Sequence, residues 1–128
     1  MKIGELSKRT GVRVDTLRFY TKENLLSYTQ MHHYWNFDDD QIVLVEHIQL
    51  LRSLGFSIRD IRFVFQASED LLDGTRVNHE NLAIYKDFFE AKQSALRIQK
   101  QHIEIAEQRI NKILGKLDHM ATQETFSL

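Results

Sequence analysis

The 128-residue sequence predicts a mainly α-helical protein: a winged helix-turn-helix head followed by one long helix that requires a partner. Three observations carry this. Short amphipathic segments, punctuated by Gly11 and Gly55, occupy residues 1–72. An aromatic stretch poor in helix formers, LSYTQMHHYWNF at 26–37, interrupts them and reads as a β-hairpin wing. Large apolar residues then recur at strict seven-residue intervals from Leu82 to Leu117.

Each element follows from local signals. Ile3 to Arg9 reads as a short helix, Thr10-Gly11-Val12 as a turn, and Val14 to Lys22 as a second helix. After the hairpin, Asp38 is the expected N-cap of a third helix, with Asp39 and Asp40 at its positive end. That helix carries Ile42, Val45, Ile48 and Leu51 and is stopped by Gly55. Ser57 caps a fourth helix with Ile58, Ile61 and Phe65 on one face. Residues 73–78 contain Asp73-Gly74 and read as a hinge. A long helix is expected over 79–119, and 120–128 as a frayed tail.

Composition excludes several functions. There is no cysteine, so disulfide scaffolds, thiolate metal sites, Cys nucleophiles and thiol sensing are out. Six histidines form neither an i, i+4 pair nor a ligand cluster, so no metal site is expected. Asp38-Asp39-Asp40 is explained by helix capping. No phosphate loop, Gly-rich fingerprint or triad spacing appears, so neither an enzyme nor a cofactor is expected. No apolar run suits a membrane span and no signal-peptide core opens the chain; no membrane partner is expected, and the location is expected to be cytoplasmic.

Net charge is −1, but its distribution is uneven. Residues 1–22 carry six Lys/Arg against two Asp/Glu, a net of +4, which leaves −5 on the other 106. A basic segment on an acidic body is the footprint of an anion-binding face or of a solvated helix face. The helix-turn-helix pattern gives it a location. Gly11 lies five residues after Leu6, Ser7 is small enough for a helix crossing, and Leu17 and Tyr20 fall on the inner side of the second helix. The outer side then shows Arg13, Arg18, Phe19 and Lys22, suited to phosphates and guanine edges.

IGELSKRTGV, TLRFY, a wing ending HYWNF, and LLRSLGFSIRDI together resemble the DNA-binding head of MerR-type transcriptional regulators, over about residues 1–70. The resemblance implies a winged head that binds promoter DNA as a homodimer. It implies DNA contact by Arg18, Phe19 and Tyr20. The candidate DNA-binding set is Lys2, Arg13, Thr16, Arg18, Phe19, Tyr20, Lys22, His33, Tyr34 and Trp35. Four positions depart from the family pattern. Phe19 stands where Tyr is usual, Arg13 where a Ser cap is frequent, and Ser27 where proline is common. The wing offers His33-Tyr34-Trp35 in place of Gly-Tyr-Arg, which removes a phosphate-binding arginine.

The heptad positions Leu82, Phe89, Leu96, Ile103, Ile110 and Leu117 form the expected dimerisation seam. Tyr85, Lys92, Gln99, Ala106, Ile113 and Met120 fill the other core position. At about 1.5 Å per residue the predicted helix is roughly 60 Å long. A 70-residue head cannot cover that length, so a second copy is the simplest partner. A second stripe, Ile84, Phe88, Ala91, Ala95, Ile98 and Ile105, suits packing on a head. The resemblance implies that the two helices form an antiparallel coiled coil. It also implies distortion of an overlong promoter spacer, with RNA polymerase as functional partner. Phe65, Tyr85, Phe88 and Phe89 are candidates to line a small-molecule effector crevice, although a head–helix core is their more ordinary role. The alternatives are a coiled-coil adaptor that binds protein, and an architectural or excision-type protein that bends DNA without touching transcription.

Overall fold

The computed structural model describes residues 1–74 and 77–127, with side chains through Gln123. Among these residues run α1 (Ile3–Thr10), α2 (Val14–Lys22), β1 (Thr29–Gln30), β2 (Trp35–Asn36), α3 (Asp40–Ser53), α4 (Ile58–Leu72) and α5 (His79–Ser127). They divide into two compact units, Met1–Asn78 and His79–Leu128. Thr75 and Arg76 of the expected hinge, and Leu128 of the expected tail, lie outside the described residues.

In the first unit, Leu6, Leu17, Phe37, Val45, Ile48 and Ile61 are fully buried and form the centre of the core. Each such side chain contributes roughly 1.5–3 kcal/mol by leaving water. They come from α1, α2, the residue after the wing, α3 and α4, so the core draws on all four helices of the head and on the chain leaving the wing. The hairpin pairs antiparallel, Thr29 with Asn36 and Gln30 with Trp35. Phe37 N donates to the Met1 carbonyl at 2.7 Å, which seats the start of the chain beside the wing.

Helix ends follow the chemistry of their residues. Gly55, at φ +93, ends α3: its N–H donates to Arg52 O at 3.0 Å and that of Phe56 to Leu51 O at 3.0 Å. Asn24, at φ +61, ends α2 by the same pair of bonds, Asn24 N to Thr21 O and Leu25 N to Tyr20 O. Ser57 caps α4 in a reciprocal box with Asp60. The start of α3 differs from expectation. Its N-cap is Asp39, already helical and without a side-chain cap bond, rather than Asp38. The first turn is tight, with Gln41 N donating to Asp38 O at 3.0 Å and Ile42 N to Asp39 O at 3.1 Å.

The second unit is α5 alone, 49 residues and so about 74 Å at the helical rise. The expected tail from residue 120 is helical instead, through Ser127. Nothing there breaks a helix: no Gly or Pro follows Gly115, and Met120, Ala121, Gln123 and Glu124 are good helix formers. Thr122 Oγ1 donates back to Asp118 O at 2.9 Å, within the helix.

Candidate nucleic-acid interface

The turn between α1 and α2 sets where the second helix points. Gly11 adopts φ +73 and donates its N–H to Ser7 O at 2.9 Å. A side chain in that left-handed conformation costs roughly 1–2 kcal/mol. Ser7 Oγ donates to Val12 O at 2.6 Å, which closes the turn from the α1 side. Thr10 Oγ1 accepts from Val12 N at 3.3 Å and donates to Leu6 O at 2.7 Å. Leu6 and Leu17, both fully buried, pin the two helices together beneath it.

With Leu17 inward, α2 turns Arg13, Arg18, Phe19 and Lys22 to solvent, and Thr16 is half-buried. Phe19 is 44% exposed, a large apolar surface left uncovered in the midst of cations. Arg18 reaches Asp15 at 3.8 Å with both side chains more than half exposed. A pair that exposed holds by about 0–1 kcal/mol and yields readily to a phosphate. Arg13 is the N-cap of α2 and is exposed; its guanidinium carries only donors and so cannot cap the helix's free N–H groups.

Tyr20 departs from the role that the family resemblance implies. It is only 4% exposed, and its hydroxyl accepts from Gln49 Nε2 at 2.6 Å. The helical spacing, which set Tyr20 beside Leu17 on the inner side, describes it correctly. It belongs to the core and ties α2 to α3.

The wing is an aromatic construction. Trp35 stacks on Tyr28 with centroids 4.4 Å apart and planes at 20°, and it meets Phe37 edge-on at 6.5 Å. Trp35 is half-buried, so its ring serves the wing's own framework. Tyr34 and His33 are exposed at the tip, where the His32 and His33 rings meet edge-on at 4.3 Å. Lys2 Nζ lies 4.6 Å from the centroid of the Tyr34 ring, a cation–π contact between the start of α1 and the wing.

Other braces join elements distant in sequence. Gln41, buried, accepts from Ser27 N at 2.9 Å through Oε1 and donates to Ser27 Oγ at 3.2 Å through Nε2. Proline has no N–H and could not make the first of these bonds, so the Ser27 amide is what ties this segment to α3. Arg62 of α4 pairs with Glu23 at 2.8 Å, and Arg9 of α1 reaches Asp39 at 3.8 Å. Sequence reading missed Gln41, Gln49 and Glu23 as supports. An outward-reading polar residue gives no local sign of a partner tens of positions away.

Phe65 lines a groove of about 630 Å³ on the head, walled by Leu26, Leu44, Leu51 and Val64, with His47 and Glu69 among its polar residues. Tyr85, Phe88 and Phe89 lie on α5, where the rings of Phe88 and Phe89 meet edge-on at 5.2 Å. Along α5 the seam residues Leu82, Ile103, Ile110 and Leu117 are 51–56% exposed and Phe89 37%, while Leu96 is half-buried. Among the described residues no group of three or more His, Cys, Asp or Glu side chains could hold a metal ion, and no helix is long and apolar enough to cross a membrane.

Residues 1–68 match the family described as MerR HTH family regulatory protein. The nodulation protein NolA of Bradyrhizobium diazoefficiens is 30% identical over 133 residues, covering 98% of this chain and 54% of NolA. NolA of Bradyrhizobium elkanii is 33% identical over 85 residues, 65% of this chain and 39% of that protein. The chain thus spans about half the length, or less, of these curated relatives. Among solved structures, HiNmlR, a MerR family regulator lacking the sensor domain and bound to promoter DNA, superposes with a TM-score of 0.58 at 22% identity, covering 85% of this chain and 86% of that one. The lead-bound transcription regulator PbrR691 of Ralstonia metallidurans gives 0.56 at 22% identity, covering 86% and 82%.

Proposed function

The chain belongs to the MerR family of helix-turn-helix regulatory proteins, and from that premise we propose that it is a homodimeric, sequence-specific regulator that binds and distorts promoter DNA. The observation that carries this is the outer face of α2. Arg13, Arg18 and Lys22 stand exposed around Phe19 on a helix whose opposite side is locked into the core by Leu17 and Tyr20. Such a helix enters a major groove, where its cations bind phosphates and Arg18 can read a base edge. Arg13, Thr16, Arg18, Phe19 and Lys22 make the groove contacts; the wing residues His33 and Tyr34 flank them, and Trp35 supports the wing. Promoter DNA as the partner is supported by the likeness to HiNmlR.

The dimer rests on α5. Ile103, Ile110, Ile113, Leu117 and Met120 follow a 7-residue core spacing and are each 51–59% exposed. Two copies of the helix bury one another's seams, and the pairing holds two heads at a set separation along the duplex. Bending or untwisting the spacer between promoter elements then changes access for RNA polymerase in the cytoplasm.

Footprinting on the region upstream of the protein's own gene tests all of this together. The expected result is a two-fold symmetric footprint with enhanced cleavage at its centre, where the duplex is distorted. Protection without symmetry removes the dimer, symmetric protection without central enhancement removes distortion, and no protection at low salt removes DNA binding.

A further inference from the structure

The wing lacks a permanent cation. No Lys or Arg occurs between Lys22 and Arg52, and Trp35 of the wing is stacked on Tyr28. A wing that grips the phosphate backbone needs positive charge from elsewhere. We propose that Lys2 supplies it: the Lys2 ammonium, held over the Tyr34 ring, is the phosphate-binding group of the wing. This deepens the DNA-binding reading above and rests on it.

Three features place Lys2 for the task. Its ammonium lies 4.6 Å from the Tyr34 ring centroid, so an exposed lysine is tied to the wing. Its backbone is held on both sides: the Lys2 carbonyl accepts from Glu5 N and Leu6 N at 3.1 Å, and the preceding Met1 carbonyl accepts from Phe37 N at 2.7 Å. The ring meets one side of the ammonium, its outward donors can reach a phosphate, and the pre-set side chain loses less freedom when it does so. The surroundings are suited to an anion. A cradle of about 680 Å³ between the start of α1 and the wing is lined by Lys2, Lys8 and Tyr34. Its one carboxylate, Glu5, is paired with Arg9 at 2.9 Å. Gly4, also in the lining, leaves open space where a side chain would stand.

The test is the salt dependence of binding to a labelled mixed-sequence DNA duplex, because phosphate contacts are independent of sequence. Wild-type, Lys2→Gln, Lys2→Arg, Tyr34→Leu and Tyr34→Phe proteins are compared, with thermal melting of each. Lys2→Gln is expected to lower the slope of log K against log salt by about 1.8, the loss of one phosphate contact in each head of the dimer. Lys2→Arg and Tyr34→Phe keep the slope. Tyr34→Leu weakens binding, and its effect does not add to that of Lys2→Gln. Wild-type slope in Lys2→Gln, even with a lowered melting point, overturns the proposal and leaves Lys2 a structural tie. Wild-type protein with no salt-dependent affinity overturns the DNA-binding reading itself, a result distinct from the first.

Discussion

Gln49 Nε2 donates to the Tyr20 hydroxyl at 2.6 Å, so the helix proposed to read DNA is tied to α3 by its inner face. Phe19, the neighbour of Tyr20, is 44% exposed on the outer face. One peptide bond therefore separates a buried residue of the core from an exposed one proposed to meet DNA. Tyr20→Phe is expected to cost about 0.5–1.5 kcal/mol of stability and to leave DNA affinity unchanged. Phe19→Ala is expected to do the reverse. Urea unfolding and fluorescence anisotropy on the same pair of variants check both, and a loss of affinity in Tyr20→Phe without loss of stability contradicts the assignment.

Arg18→Ala is expected to weaken DNA binding and, where its contact is to phosphate, to reduce the salt slope by about 1.8, one contact in each head, with the dimer intact in light scattering. The Arg18–Asp15 pair is exposed, so its loss leaves folding stability within about 0.5 kcal/mol of wild type. Unchanged affinity removes Arg18 from the interface.

Ile103→Asp places a carboxylate in the middle of the α5 seam, where a partner copy would bury it unpaired. Breaking such burial costs several kcal/mol, on the order of 3–5 for an uncompensated buried charge. The variant is expected to be monomeric in light scattering at concentrations where wild type is dimeric. A dimer of normal mass means that Ile103 lies outside the pairing surface.

Ser27→Pro removes the Ser27 N–H that donates to Gln41 Oε1 at 2.9 Å. Gln41 is 4% exposed, so water cannot readily replace the lost donor. The expected destabilisation is about 1–3 kcal/mol, measured by urea unfolding. The paired change Ser27→Pro with Gln41→Leu, which leaves no polar atom stranded, is expected to recover most of it.

Much of the head was legible because its signals are local. Gly11 and Gly55 stop helices by adopting a backbone that few other residues tolerate, and Ser57 caps α4 through a partner three residues away. Heptad spacing marked α5, since 3.6 residues per turn sends every seventh side chain to nearly one face. Helical spacing also oriented Tyr20 correctly, whereas family likeness assigned it to the DNA face. The tail expected to fray is helical, and α5 runs on to Ser127, because Met120, Ala121, Gln123 and Glu124 favour a helix and no Gly or Pro interrupts them.

The amino-acid order by itself determined the elements, the glycine-terminated and Ser57-capped ends, the cationic outer face of α2 and the apolar seam of α5, since each depends on spacings of seven residues or fewer. Only the tertiary structure decided that Ser27 answers Gln41, that Trp35 stacks on Tyr28, that Tyr20 bonds Gln49 and that Lys2 sits over Tyr34. These partners lie 7 to 32 positions apart, and a side chain's choice among distant neighbours is settled when the core closes and brings them within reach.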